Sequence, residues 1–180
     1  MRSFWKAIRQ RLDRLFKKTS GKKPPKVTKT LPNDVLLPVV LKMLEEYPTA
    51  TIPLKGISMR PFLEDTRDKA VLTKLSRPAQ KGAPVLAEVR PGFYVIHRIV
   101  AIDGDLVTLR GDGNLATEQC RTADIRAAVV GFYRKGRKTM DRTDGLKWRI
   151  YSRVWTALFP VRRYLLAFYR RIWIKLFGPI

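Results

Sequence analysis

Residues 54–62 read LKGISMRPF. Ser58 stands there between isoleucine and methionine, with Gly56 two residues before it and Pro61 three after. These are not the neighbours of a simple turn or a helix cap. The hydroxyl is either ordinary or a nucleophile. A nucleophile needs a base and a group that holds the developing oxyanion, so the rest of the chain has to supply both.

Around this stretch the pattern is that of strands. TIPLKG, KAVLTKL, APVLAEV, FYVIHRIVAI, DLVTLRG and AAVVGFYRK are short and rich in Val, Ile, Leu and aromatic residues. An Asp-Gly pair within IDGDLV predicts a hairpin between two of them. Ahead of the strands, PNDVLLPVVLKMLEEYP predicts a helix over 34–47, capped by Asn33 or Asp34 and closed by Pro48. The expected fold is mainly β: a compact β domain preceded by a helix and flanked by basic amphipathic helices. There is no internal repeat, no Gly-rich phosphate loop and no dinucleotide-binding fingerprint.

The chain has one histidine, His97, in YVIHRIV. Alternation puts Tyr94, Ile96 and Arg98 on one face of that strand, and Val95, His97 and Ile99 on the other. Histidine titrates near neutrality and is the commonest general base, although a lone histidine in a strand is more often structural. LRGDGN follows, with Asp112 between two glycines at a strand end. A tight hairpin through Asp103–Asp105 can bring Asp112 back beside His97, where a carboxylate would hold the imidazole tautomer. Ser58, His97 and Asp112 have the residue types of a Ser-His-Asp constellation.

GISMRPF, YVIHRIVAIDGD and LRGDGN, in that order, resemble the type I signal peptidases, in the serine peptidase clan shared with the self-cleaving SOS repressors. The resemblance covers about residues 51–134. It implies that Ser58 attacks the scissile carbonyl and that its own N–H is an oxyanion donor. His97 then resembles the base of the histidine branch, and Asp112 matches an acidic position which that branch uses. Met59 and Pro61 would shape the turn and the pocket wall. The chain departs from the family in four respects. Ala83 follows Gly82 where an aspartate is frequent. Gly56 stands where some members place a hydroxyl that assists the oxyanion hole. The extra β domain of large members is missing, and no transmembrane run precedes the serine box. A repressor would want a DNA-reading helix pair ahead of the domain, and residues 1–50 do not provide one.

Charge is unevenly distributed. The net +22 divides into +10 over residues 1–30, +1 over 31–133 and +11 over 134–180. A nearly neutral domain thus lies between two basic arms, giving expected units at 1–30, 31–50, 51–135 and 136–180. The single cysteine, Cys120, excludes an intramolecular disulfide framework. With one cysteine and one histidine, no metal site and no cofactor are expected.

The first arm, MRSFWKAIRQRLDRLFKK, has the spacing of a basic amphipathic helix and lacks the uninterrupted apolar core of a signal peptide. TSGKKPPKVTKTLP reads as a solvated linker. In the second arm, Trp148, Trp155 and Trp173 are interspersed with Arg149, Arg153, Arg162, Arg163, Arg170 and Arg171, and Pro160 either divides two helices or kinks one. The arginines recur too often for a bilayer span. These helices are expected to lie in a membrane interface, on the cytoplasmic face, with cations at anionic headgroups. Packing on the domain is the competing expectation. Nucleic acid is a poorer fit, because tryptophan, phenylalanine and leucine on helical faces suit lipid better than a duplex. The expected activity is a membrane-associated serine endopeptidase that removes a leader or signal segment from a peptide or protein. The alternative is an inactive module on the same fold that binds a peptide by strand addition at the membrane surface.

Overall fold

Leucines three and four apart make the first helix, α1 (Asn33–Glu46), which buries Leu37, Val40 and Leu44 along one face. The computed structural model describes residues 32–180. The amphipathic helix expected in residues 1–30 lies outside them. Asn33 and Asp34 do not cap α1. Pro32 takes the cap position, and its carbonyl accepts from the N–H groups of Val35 (3.1 Å) and Leu36 (2.9 Å).

Six strands form where alternation and β-branching predict them. They are β1 (Ala50–Pro53), β2 (Lys69–Thr73), β3 (Pro84–Arg90), β4 (Phe93–Asp103), β5 (Leu106–Arg110) and β7 (Ile125–Tyr133). Two more, β6 (Glu118–Arg121) and β8 (Met140–Arg142), are short and polar and carry no periodic signal of their own. All strand pairs are antiparallel, in the order β1-β2-β7-β3-β4-β5-β6, with β8 on the free half of β7. The sheet curls into a half-barrel. The expected hairpin is present: Asp103 pairs with Leu106, and Gly104 takes the positive φ of 56° that the tight turn demands.

Curling separates two cores. One gathers α1 with Leu72, Leu86, Phe132 and Trp148; the other holds Val85, Ile99, Val107, Leu109 and Ile125. Trp148 belongs to the C-terminal arm and is buried in the first core. The arm forms α2 (Leu146–Ala157), α3 (Arg162–Phe168), a π-helical turn (Tyr169–Trp173) and α4 (Ile174–Phe177). Pro160 separates α2 from α3, as expected, inside the short 3-10 turn Phe159–Val161. Helix and strand each account for about 32% of the structure, so the fold is mixed rather than mainly β.

The expected boundary at residue 135 is likewise not a division of the fold. Residues 32–180 belong to one compact unit. Trp148 packs its ring 5.0 Å from Phe132 of β7 and 5.1 Å from Phe62 in the serine loop. Trp148, Trp155 and Arg162 are buried, which overturns their expected place at a lipid surface. An indole buries more apolar area than any other side chain, and here the sheet offers an aromatic surface to receive it. Replacing Phe132 with alanine removes the ring on which Trp148 rests. Denaturant unfolding of Phe132→Ala is expected to show a loss of about 3–5 kcal/mol.

Candidate active site

Ser58 lies in the loop between β1 and β2, which folds back on itself. Thr66 N–H donates to the Leu54 carbonyl (2.9 Å), Leu54 N–H to the Asp68 carbonyl (2.9 Å), and Leu63 N–H to the Met59 carbonyl (3.0 Å). Gly56 has φ 85°, a conformation L side chains rarely adopt, and its N–H donates to Asp65 Oδ1 (2.8 Å). A hydroxyl-bearing residue at position 56 would therefore be strained, which explains why none assists from there. Met59 and Phe62 are buried in the first core and hold the loop from below. The Arg60–Pro61 bond is cis.

The loop carrying Gly111, Asp112 and Gly113 packs directly on this turn. Gly113 N–H donates to the Ser58 carbonyl at 2.7 Å. A Cβ on Gly111 would lie 2.3 Å from the Ser58 carbonyl oxygen and 3.0 Å from His97 Nε2. One methyl group would thus meet the serine backbone and the imidazole together, so both face the same small space. A Cβ on Gly113 would lie 2.6 Å from the Ile57 carbonyl oxygen. Both glycines are required by close backbone approach. No hydrogen bond joins Ser58 Oγ to His97 Nε2; such bonds are often long before substrate is engaged. Among the described residues the Ser58 N–H donates to no protein acceptor, which leaves it available to an oxyanion.

The imidazole of His97 is buried, and its Nδ1 meets Glu118 Oε2 at 2.5 Å. With Nδ1–H donating to Glu118, Nε2 keeps its lone pair and faces Gly111 and the serine turn. Burial lowers the His97 pKa below its ordinary value of 6.5, and the nearby charge of Glu118 opposes that shift only in part. The ring is therefore held neutral at physiological pH.

Asp112 does not contact His97 through a hydrogen bond. It pairs instead with the guanidinium of Arg98, Nε to Oδ1 at 3.0 Å and the second nitrogen to Oδ2 at 2.7 Å. Tyr151 OH donates to Asp112 Oδ2 (2.8 Å) and Trp155 Nε1 to its carbonyl (2.9 Å). Arg98 also donates to the Gly82 carbonyl (3.0 Å) and to Ser152 Oγ. The carboxylate expected to orient the base is thus an anchor, and Glu118 takes the orienting place. The reason is the alternation of β4. His97 points to the second core, whereas Arg98 points to the face where Asp112 and α2 lie.

No local feature of the sequence marks Glu118 as a site residue. It reaches His97 through register: Ile99 pairs with Leu109, and Leu109 with Glu118, so Glu118 stands on the His97 face two strands away. Its strand is short and sits in an ordinary EQCR run, which gave no signal. Ala83 does not disturb the turn before β3, because Gly82 N–H donates to the Ile99 carbonyl and Ile99 N–H to the Ala83 carbonyl.

A cleft opens beside Ser58. Ile52 and Leu54, Tyr94 and Ile96, and Asn33, Leu36 and Leu37 of α1 line it, together with the buried Met59 and Leu86. β1 is an edge strand, and residues 93–97 of β4 pair with β3 but not with β5, so both sides present unpaired backbone. No family model matches the chain, and no curated protein matches it either.

Truncating Asp112 leaves the buried Arg98 charge uncompensated. Chemical unfolding of Asp112→Ala is expected to lose about 3–5 kcal/mol. Gly111→Ala should lose about 1–3 kcal/mol in the same measurement, because its methyl group must displace the serine turn.

Proposed function

We propose that this chain is a serine endopeptidase resembling the histidine branch of the type I signal peptidases. The observation that carries this reading is convergence. The Ser58 turn and the lone-pair nitrogen of a buried neutral histidine face one space beside a cleft, and a carboxylate from a third segment holds the other nitrogen of the ring.

In this reading an extended peptide lies between the unpaired edges of β1 and β4 and extends the sheet on either side. Apolar walls from Ile52, Leu54 and Ile96 favour small or apolar side chains near the cleaved bond. Ser58 Oγ attacks the carbonyl carbon while its proton passes to His97 Nε2. The carbonyl π electrons move to oxygen, and the Ser58 N–H receives the resulting oxyanion. Glu118 stabilises the imidazolium and keeps the ring in place, the part played by the acid in a Ser-His-Asp triad. The imidazolium then gives its proton to the leaving amine as the C–N bond breaks. Water, deprotonated by the same nitrogen, releases the acyl group and restores the serine.

The second reading is a peptide-binding module on the same cleft, favoured by the missing Oγ–Nε2 hydrogen bond. One substitution separates the two. Incubation with a peptide library, followed by mass spectrometry, is expected to show cleavage by the native chain and none by Ser58→Ala or His97→Ala. Retention of cleavage by Ser58→Ala removes the peptidase reading. Peptide capture by both proteins without any cleavage supports the binding module.

The pH profile tests the base independently. The base must be neutral, so activity is lost as pH falls through the His97 pKa. Because burial depresses that pKa, the acid limb of kcat/KM is expected below 6.5. Glu118 raises the His97 pKa, so Glu118→Gln should move the limb further down in pH. The same variant should lower the plateau by about 10²-fold or more, since it disturbs the orientation of the base. A limb that stays in place in Glu118→Gln contradicts the assignment.

A further inference from the structure

We propose that the outer face of the C-terminal helices is a docking surface for an anionic lipid bilayer. This inference stands apart from the peptidase reading and rests on how the helices divide their side chains. Their inner face is fully used: Trp148, Trp155, Arg162, Leu166 and Tyr169 are buried, and Arg170 donates to the Gly113 carbonyl at 2.7 Å. What remains outside is apolar and cationic.

In α2 the row Leu146, Ile150 and Val154 is exposed at intervals of four, with Arg149 and Arg153 beside it. From α3 through α4, Leu165, Phe168, Ile172 and Leu176 form a second exposed apolar row at intervals of three and four. Arg163, Arg171 and Lys175 run alongside it, also in register with the helix. Leu176 and Phe177 are 69% and 70% exposed, values that an ordinary solvated helix end has no reason to combine with neighbouring cations. Residues 146–180 contain eight Lys and Arg and no Asp or Glu.

Apolar rows edged by cations, with no carboxylate, match a surface whose interior is hydrocarbon and whose boundary is anionic. Other occupants fit less well. A phosphate backbone would use the arginines but leave leucine and phenylalanine in water. A second copy of the chain would bring the same positive charge against itself. No helix among the described residues is long and apolar enough to cross a membrane, so the helices would lie along the interface.

The chain's other basic segment, residues 1–30, can also attract vesicles, so sedimentation alone does not locate the contact. The one cysteine, Cys120, is buried, which allows a label to be directed elsewhere. The full chain carrying Leu176→Cys, labelled with an environment-sensitive fluorophore, should be mixed with vesicles of zwitterionic lipid with and without about a third of anionic lipid. A blue shift of the emission with anionic vesicles, persisting in part at high salt, is the expected result. A companion variant, Phe168→Ser with Ile172→Ser, should lower the vesicle affinity at high salt by about tenfold or more. Its unchanged thermal unfolding would establish that the fold survives, since both side chains are exposed. A label that stays unshifted while the chain sediments with vesicles overturns the proposal. So does an equal shift on purely zwitterionic vesicles, or a shift produced by duplex nucleic acid and not by lipid.

Discussion

The buried pair of Arg98 and Asp112 is the constraint on which the rest of the structure depends. Both side chains are nearly inaccessible to water, and removing two charges from water is costly. The cost is offset only because every side of the pair is occupied. Asp112 receives the guanidinium and the Tyr151 hydroxyl. Arg98 gives its remaining donors to Gly82 and Ser152 and lies 4.9 Å from the centre of the Trp148 ring. Burial alone would lower the Arg98 pKa, and Asp112 together with Tyr151 more than reverses that effect. Burial and the Asp112 charge together push Tyr151 well above its ordinary value, so it stays a neutral donor. The pair joins three elements that are far apart in the chain: β4, the loop after β5, and α2.

This anchor explains how the neighbouring histidine can be held in place. Successive residues of a strand face opposite sides, so the residue next to the anchor points the other way. His97 gains a fixed backbone from Arg98 and a separate environment from the second core. The loop that Asp112 fixes also delivers Gly111 and Gly113 against the serine turn. The Ser58 turn and the His97 ring are thereby held in fixed relation, as the proposed peptidase reading requires.

The C-terminal helices work on two sides at once. Their aromatic residues close the first core and fix the Asp112 loop, through Trp155 on its carbonyl and Arg170 on the next one. Phe62, in the serine loop, stacks on Tyr151 at 4.3 Å. The Ser58 loop and the Asp112 loop therefore rest on the same helix. Their outer side chains are apolar and cationic and take no part in the core. A packed face and an exposed apolar one coexist because a helix has more circumference than one packing contact can cover.

By itself the sequence determined the local elements: six of the eight strands among the described residues, the Asp-Gly hairpin, the break at Pro160, and the boxes around Ser58, His97 and Asp112. Each of these depends on residues close together in the chain, where periodicity and turn chemistry act. Tertiary structure alone decided which carboxylate meets His97. Glu118 reaches it through two strand pairings, and no local signal marks a residue whose role depends on register. Tertiary structure alone also turned Trp148, Trp155 and Arg162 inward. An amphipathic pattern fixes that a helix has an apolar face, but not whether protein or lipid covers it, because both media accept the same side chains.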